Sequence, residues 1–267
     1  MKFKIFLFVT VLILGCGNPS GPTINPFESF TYPLEVGNVW TYDYTQTFSN
    51  IIPDTATLPA YVEHIDTFSI FVSGVESLGV DNEVFAINSD DTTITPRGNV
   101  PLETRHFYNK QDGMYEYGSS HGTIPLPIST PVIEDELKKL FKDKKLKTNY
   151  SQTSLDTLVK KLIQYPITLN DEWVYTDTAI GGLDIHKKIE SFQYIEIHGK
   201  RYYCFVVEWI YGYVINISVK DYYSQIGLVK RTMTAKNLTI SDESNMEIAS
   251  GDLTLEYNLQ NFINANK

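Results

Sequence analysis

Apolar and polar side chains alternate along most of the chain after residue 31. Trp40, Tyr42 and Tyr44 are each followed by a polar residue, so an extended chain would carry the three rings on one face. Successive side chains of a β-strand point to opposite faces, and this pattern therefore predicts half-buried antiparallel strands. Comparable runs, separated by turn residues, occupy 67–75, 83–88, 104–109, 114–117, 172–177, 186–198, 201–211, 214–223, 227–235 and 253–259.

One of these runs, RYYCFVVEW at 201–209, is apolar on both faces of the predicted strand. Strands of this composition are usually central in a sheet and covered on both sides. Cys204 lies in the middle of the run. We expect it to be a small buried apolar residue and not a reactive thiol.

The spacing of apolar residues changes between 131 and 163. Thr130 and Pro131 form a favourable N-cap and first-turn pair, and they precede a stretch with acidic residues at its start and lysines at its end. A second stretch of helical spacing begins at Ser154. The pattern predicts two short helices, with apolar positions Ile133, Leu137, Leu140 and Phe141 in the first and Leu155, Leu158, Val159 and Leu162 in the second.

A motif at the first strand recurs 133 residues later. YPLEVGNVWTYDY, which begins at Tyr32, aligns without gaps with YPITLNDEWVYTD, which begins at Tyr165. Each copy has a proline, a turn-forming pair and then a tryptophan, as expected of a chain that turns and buries a large ring where a sheet opens. We expect a structural role for Tyr32, Pro33, Trp40 and Tyr42 in the first copy and for Tyr165, Pro166, Trp173 and Tyr175 in the second.

The repeat predicts two related antiparallel units. A weaker match extends it, because an aromatic strand precedes a tight turn both at Gly113 and at Gly227. The predicted organisation is a first β unit at 31–130, a helical connection at 131–163 and a second β unit at 164–267, with 30–267 as one compact domain. The predicted fold class is mainly β: an antiparallel curved sheet, sandwich or open barrel, with a short helical pair inserted between the two units.

The first residues indicate that this β domain is exported. Lys2 and Lys4 flank the start of an apolar run of about a dozen residues, too short to cross a bilayer and typical of a signal peptide. Ile13-Leu14-Gly15-Cys16 matches a lipobox, and the N-terminus resembles that of bacterial lipoprotein precursors. The resemblance implies lipid attachment to Cys16, removal of 1–15 as signal peptide and a lipidated tether at 16–30. The alternative is an ordinary signal or membrane anchor in which Cys16 stands by chance.

The chain as a whole resembles poorly characterised bacterial envelope lipoproteins. The resemblance rests on the lipobox, on the Y-P-L-x-V-G-N-x-W-x-Y segment from Tyr32 to Tyr42 and on Y-S-Q-I-G-L-V-K, which ends at Lys230. It implies a location and a fold and assigns no activity. Gly17 follows Cys16 where retention in the inner membrane would require aspartate, so we expect attachment to the outer membrane, facing the periplasm.

Charge restricts the partners of the protein. The chain has 22 basic and 32 acidic side chains, and loss of Lys2 and Lys4 with the signal peptide leaves 20 basic ones, a net charge of −12. Such a surface repels nucleic acid and anionic headgroups, so membrane attachment would depend on the lipid on Cys16. Aromatic residues make up 13% of the chain, enough for a sizeable core and for contacts with a protein, glycan or lipid ligand.

The sequence has no standard enzyme signature: it lacks G-x-S-x-G, a phosphate loop and C-x-x-C. Asp184-x-His186 and Glu196-x-His198 each place two potential ligands on one face of a strand, but zinc takes three or four. We therefore predict no catalytic residue, no cofactor and no metal.

The leading hypothesis is a membrane-anchored, non-enzymatic binding or structural lipoprotein. One alternative is a lipid or lipoprotein carrier, in which residues 132–163 would form a lid over an apolar cavity. Another is a glycan-acting enzyme, which would need two carboxyl groups about 5 to 9 Å apart.

Overall fold

The computed structural model describes residues 25–52, 61–77, 84–90, 104–117, 159–176, 184–212, 216–241 and 247–266. The secondary structure of these ranges is entirely β, so they contain no helix that could cross a membrane. The strands are β1 (Val39–Ile52), β2 (Tyr61–Glu76), β3 (Val84–Asp90), β4 (Thr104–Lys110), β5 (Gly113–Tyr117), β6 (Val159–Gln164), β7 (Glu172–Thr176), β8 (Ile185–Ile197), β9 (Lys200–Tyr211), β10 (Ile217–Ser224), β11 (Gly227–Ser241) and β12 (Glu247–Ile263).

The strands form one antiparallel sheet in the order β6-β5-β4-β3-β2-β1-β12-β11-β10-β9-β8-β7. Consecutive strands pair with each other except at β6 and β7, and the first strand pairs with the last. β6 and β7 are therefore the two edges. The sheet curls until these edges contact each other, so that it nearly closes into a barrel. The predicted antiparallel, curved β fold is confirmed.

Side chains bridge the seam between the two edges. Trp173 on β7 donates its indole N–H to the carbonyl oxygen of Lys161 on β6, at 3.0 Å. Lys187 on β8 places its Nζ 3.3 Å from the carbonyl oxygen of Leu162, also on β6. An edge strand exposes unpaired backbone groups. Two of these carbonyl groups on β6 are instead satisfied by side chains from β7 and from its neighbour β8.

The two ends of the sheet differ. Because strand directions alternate, the start of β1 lies at the same end as the turns that connect β4 to β5, β8 to β9 and β10 to β11. These turns are tight, with Lys110 paired to Gly113 and Ser224 paired to Gly227 across them. Residues 25–34 lie across this end and cover it. We call it the capped end and the opposite one the far end.

Aromatic contacts hold the covering segment in place. The ring of Phe27 stacks on that of Tyr203, with centroids 5.6 Å apart, and Phe30 packs edge-on against Phe205 at 5.0 Å. Both phenylalanines are buried. The tether boundary predicted at residue 30 is therefore too late, because these side chains belong to the core of the folded domain. The part of the predicted tether before Asn25 lies outside the described residues.

Large side chains fill the interior of the curled sheet. The interior of a barrel widens as the number of strands increases, so a sheet of twelve strands needs large side chains to fill it. Aromatic rings supply much of this buried apolar area. The inner face and the covering segment share one continuous core, which includes Phe27, Phe30, Tyr32, Trp40, Tyr42, Ile70, Val72, Phe107, Met114, Ile163, Trp173, Val207, Val219, Tyr223, Met233, Leu255 and Leu259.

Strand β9 is buried on both faces, as its composition predicts. Phe205 points inward, and Cys204 on the other face is also fully buried. The tip of the β8–β9 hairpin reaches β1, where His198 Nε2 lies 2.9 Å from Asp43 Oδ2. Since β10, β11 and β12 lie between β9 and β1 in the sheet, the distal part of the hairpin crosses over those strands.

The prediction of a helical pair is wrong where the structure describes it. Val159 and Leu162 lie on strand β6, which pairs with β5. Apolar residues three apart fit one helical face but do not exclude a short strand, and pairing with β5 satisfies the backbone groups of this segment. The first predicted helix and the start of the second lie outside the described residues. Each predicted strand is confirmed, and β2, β11 and β12 are longer than predicted.

Candidate functional site

The aromatic residues of the repeated motif are buried in both copies. Tyr32, Trp40 and Tyr42 of the first copy are buried, as are their counterparts Tyr165, Trp173 and Tyr175 in the second. Pro33 and Pro166 lie at the surface of the capped end, Pro166 more exposed than Pro33. The two tryptophans stand apart and bond different carbonyl groups: Trp40 donates to Ile226 at 2.6 Å, and Trp173 to Lys161 at 3.0 Å. They do not meet in one site.

The two motif copies share the same local geometry. Gly37 and Asn170, which the alignment matches, both have a positive φ, 91° and 69°. A strand begins two residues after each of them, at Val39 and at Glu172. The copies also touch: the hydroxyl oxygen of Tyr165 accepts a hydrogen bond from the backbone N–H of Tyr32 at 2.9 Å.

A cluster of charged and polar side chains inside the sheet is the strongest site-like arrangement in the described ranges. Asp221 on β10 and Arg231 on β11 face each other as a register pair. Their two parallel contacts join Nε to Oδ1 at 2.5 Å and Nη2 to Oδ2 at 2.8 Å. Both side chains are fully buried. A buried charge is tolerated only when it is paired and hydrogen-bonded, and this fork-to-fork geometry meets that requirement.

Two aromatic residues complete the hydrogen bonding of the carboxylate. Trp209 donates its indole N–H to Asp221 Oδ2 at 2.9 Å, and the hydroxyl of Tyr223 lies 3.3 Å from the same oxygen. Burial is the main cause that raises the pKa of Tyr223, and the negative charge of Asp221 adds to it. The hydroxyl therefore keeps its proton and acts as a donor.

Lys187 adds a second buried cation beside this pair. Its Nζ lies 3.8 Å from the ring centroid of Trp209 and 4.4 Å from that of Tyr175. Burial lowers the pKa of Lys187 to about 7, although the negative charge of Asp221 opposes the shift. Perturbed lysines of this kind can act as bases or nucleophiles when a substrate reaches them. Lys187 has 0% of its surface exposed, which leaves no approach for a substrate.

Sequence reasoning missed this cluster, although the sequence carries a signal for it. Asp221 lies two residues from the core residues Val219 and Tyr223, so its side chain points to the same face of β10. Lys187 lies two residues from Ile185 and Ile189 and points to the same face of β8 as they do. A charged residue at an inward position of an otherwise apolar strand face predicts a buried, paired charge. Only the sheet order shows which partner it has.

The two Asp/Glu-x-His pairs differ in their contacts. His186 Nδ1 lies 3.0 Å from Glu172 Oε1, and its Nε2 lies 3.3 Å from Asp184 Oδ1. His198 contacts Asp43 and not Glu196. In the part of the chain that the structure describes, no group of three or more potential ligands could hold a metal ion.

The two cysteines have different positions. Burial raises the pKa of the Cys204 thiol to about 12, which suppresses the reactive thiolate at neutral pH. Its position agrees with the expected structural role. Cys16, the predicted lipidation site, lies outside the described residues.

No family model matches the chain, and no curated protein is significantly similar to it.

Proposed function

We propose that the protein is a lipid-anchored lipoprotein of the bacterial cell envelope, attached through Cys16, whose curled sheet is a non-enzymatic binding or structural module. The observation that carries the proposal is the burial of the charged groups inside the sheet. Asp221, Arg231 and Lys187 are its most chemically active groups, and they are buried against each other and against aromatic rings. Because they are buried, a partner cannot reach them, and contacts with a partner fall to the outer surface.

The two alternatives have less support. A carrier needs an apolar cavity, whereas core side chains fill the interior at the levels that the structure describes. Its proposed lid would include Ile163, which instead lies on strand β6. A glycan-acting enzyme needs two carboxyl groups in a cleft. Glu172 and Asp184 both flank His186, but their side chains are 47% and 41% exposed on the surface.

We also propose that the sheet derives from a duplicated unit of six strands, β1–β6 and β7–β12. The matched turns at Gly37 and Asn170 support this proposal, as do the tight turns before Gly113 and Gly227, which fall at the fifth strand of each half. Superposition of the two halves should align Trp40 with Trp173. A best superposition in another register would contradict the duplication.

Lipid attachment is tested by metabolic labelling with palmitate and by membrane fractionation. The wild-type protein should take up the label and sediment with membranes, whereas Cys16→Ala should remain unlabelled and soluble. Cys204→Ala is the matched control, because it removes the other cysteine and should leave labelling unchanged. The proposal fails if Cys16→Ala and the wild-type protein fractionate alike.

A further inference from the structure

The described chain begins at the capped end of the sheet. The side-chain amide of Asn25 donates to the carbonyl oxygen of Ile167 at 2.5 Å, and Gln225 donates to the carbonyl oxygen of Pro26 at 2.8 Å. These contacts fix Asn25 beside the connection between β6 and β7, and Pro26 beside the turn between β10 and β11. Asn25, the first described residue, therefore lies at the capped end.

The distance from there to the lipid attachment point is short. Asn25 stands nine residues after Cys16, a length of chain that spans at most about 32 Å when fully extended. β1 has 14 residues. A strand of that length measures roughly 46 Å, and a tilt of 45° still leaves it about 33 Å tall. Even a fully extended tether would not exceed the height of the sheet, so an upright molecule anchored through Cys16 has its capped end toward the bilayer.

Large apolar side chains are exposed at this same end. Val36 is 49% exposed and Leu169 46%, each in the turn just before a strand that starts there. Ile263, at the end of β12 and paired with Val39, is 53% exposed. In the sheet order, β1 and β7 are six positions apart, so Val36 and Leu169 lie on opposite sides of the rim.

Burial does not explain why Val36 and Leu169 are both apolar. They are equivalent positions of the repeated motif, directly before the residues with positive φ. Elsewhere in the motif, matched apolar residues such as Leu34 and Ile167 are buried in both copies. At this one position both copies are apolar and both are about half exposed. The fold itself gains little from either side chain, and it is their recurrence at one exposed position of the motif that directs attention to a contact outside the chain.

An exposed tyrosine on the capped side has the character of a residue at a membrane interface. Tyr194 is 58% exposed; its ring lies 4.7 Å from that of Tyr203 and 4.0 Å from the guanidinium carbon of Arg201. Tyr203 in turn stacks on Phe27 of the covering segment. Tyrosine and arginine both combine an apolar body with a polar tip, which suits the headgroup region of a bilayer.

We propose that the capped end rests on the lipid surface, with Val36, Leu169 and Ile263 in the interfacial region of the bilayer. The inference rests on the proposed lipidation of Cys16 and adds an orientation to it: the far end, with the long connections, faces away from the membrane. The net negative charge of the chain favours a zwitterionic over an anionic lipid surface. The apolar rim, and not charge, makes the contact.

The orientation is tested with lipidated protein reconstituted into phosphatidylcholine vesicles that contain brominated acyl chains. Bromine quenches tryptophan fluorescence at short range. Val36→Trp and Leu169→Trp place a reporter on the capped rim. Ile210→Trp is the matched control, because Ile210 is an exposed apolar residue near the far end of β9. The native Trp40, Trp173 and Trp209 are buried and give a common background.

We expect bromine to quench the two rim reporters several-fold more than the reporter at position 210. Equal quenching at the three positions, in protein that floats with the vesicles, would overturn the orientation and leave lipid anchoring intact. Protein that does not float with the vesicles would overturn the anchoring as well. Preferential quenching at position 210 would reverse the proposed orientation.

Discussion

Tyr32 and Tyr165, the first residues of the two motif copies, contact each other across the capped end. The backbone N–H of Tyr32 donates to the hydroxyl oxygen of Tyr165 at 2.9 Å, and that hydroxyl donates to Asn109 Oδ1 at the same distance. Asn109 in turn donates its amide to the carbonyl oxygen of Tyr32 at 2.9 Å. One hydroxyl group therefore ties the covering segment to the start of the second half of the chain.

Tyr165→Phe should loosen the covering segment. The substitution leaves a buried backbone N–H of Tyr32 without its acceptor, which costs about 1–3 kcal/mol. We expect faster amide hydrogen exchange at Tyr32 and a lower free energy of unfolding in urea. Tyr194→Phe, at an exposed tyrosine, should change neither measurement. Unchanged exchange at Tyr32 would show that the hydroxyl does not hold the segment.

Trp40→Phe should lower stability by about 2 kcal/mol, because it removes the hydrogen bond to Ile226 and leaves a void in the core. Urea unfolding of the unacylated Cys16→Ala protein measures the change. The variant should still fold and keep any partner binding of the parent protein. Unchanged unfolding with lost binding would instead make Trp40 a functional residue.

Gly227→Ala should destabilise the protein more than Gly199→Ala does. Both glycines have a positive φ, 97° and 73°, so both substitutions carry the backbone strain of that conformation. A Cβ at Gly227 would also come within 3.0 Å of the Tyr32 ring, whereas a Cβ at Gly199 meets nothing within 4 Å. The difference between the urea midpoints of the two variants measures the destabilisation that the contact with the Tyr32 ring causes. Equal midpoints would show that this contact has no effect on stability.

Removing one partner of the buried ion pair should be costly. Asp221→Asn or Arg231→Met leaves an unpaired buried charge, and we expect each to lose about 3–5 kcal/mol of unfolding free energy. The double variant should lose less than the sum, because neither charge then remains. A double-mutant cycle in urea measures this coupling. Additive losses would mean that the two side chains stabilise the sheet independently.

Lys187 should make stability depend on pH. Its pKa is about 7 in the folded protein and 10.5 when unperturbed, so between these values the unfolded chain binds the extra proton. Unfolding free energy should therefore rise with pH in this window, by up to about 1.4 kcal/mol per unit from this one group. Lys187→Met should flatten the rise in urea titrations from pH 6 to 9.5, and an unchanged slope would contradict the assignment.

The strand pattern was accessible from sequence because it depends on neighbouring residues alone. Alternation of rings and polar groups around Trp40 and Tyr42 placed β1, and the aligned motif placed the start of β7. For strand β6 the local pattern predicts a helix, since Val159 and Leu162 lie three apart and the segment is short. Its strand conformation depends on β5, a partner more than forty residues earlier.

By itself the sequence determined the local features of the protein: the antiparallel strands, the turns at Gly37 and Asn170 and the burial of the motif tryptophans. Only the tertiary structure decided what meets across the sheet. The pairing of β1 with β12 joins the two halves, and residues 25–34 cover one end of the sheet. The order of β8, β9, β10 and β11 and the curl of the sheet bring Asp221, Arg231 and Lys187 into one buried cluster. Local pattern follows from the period of a strand, whereas contacts between distant residues depend on the order and curvature of the whole sheet.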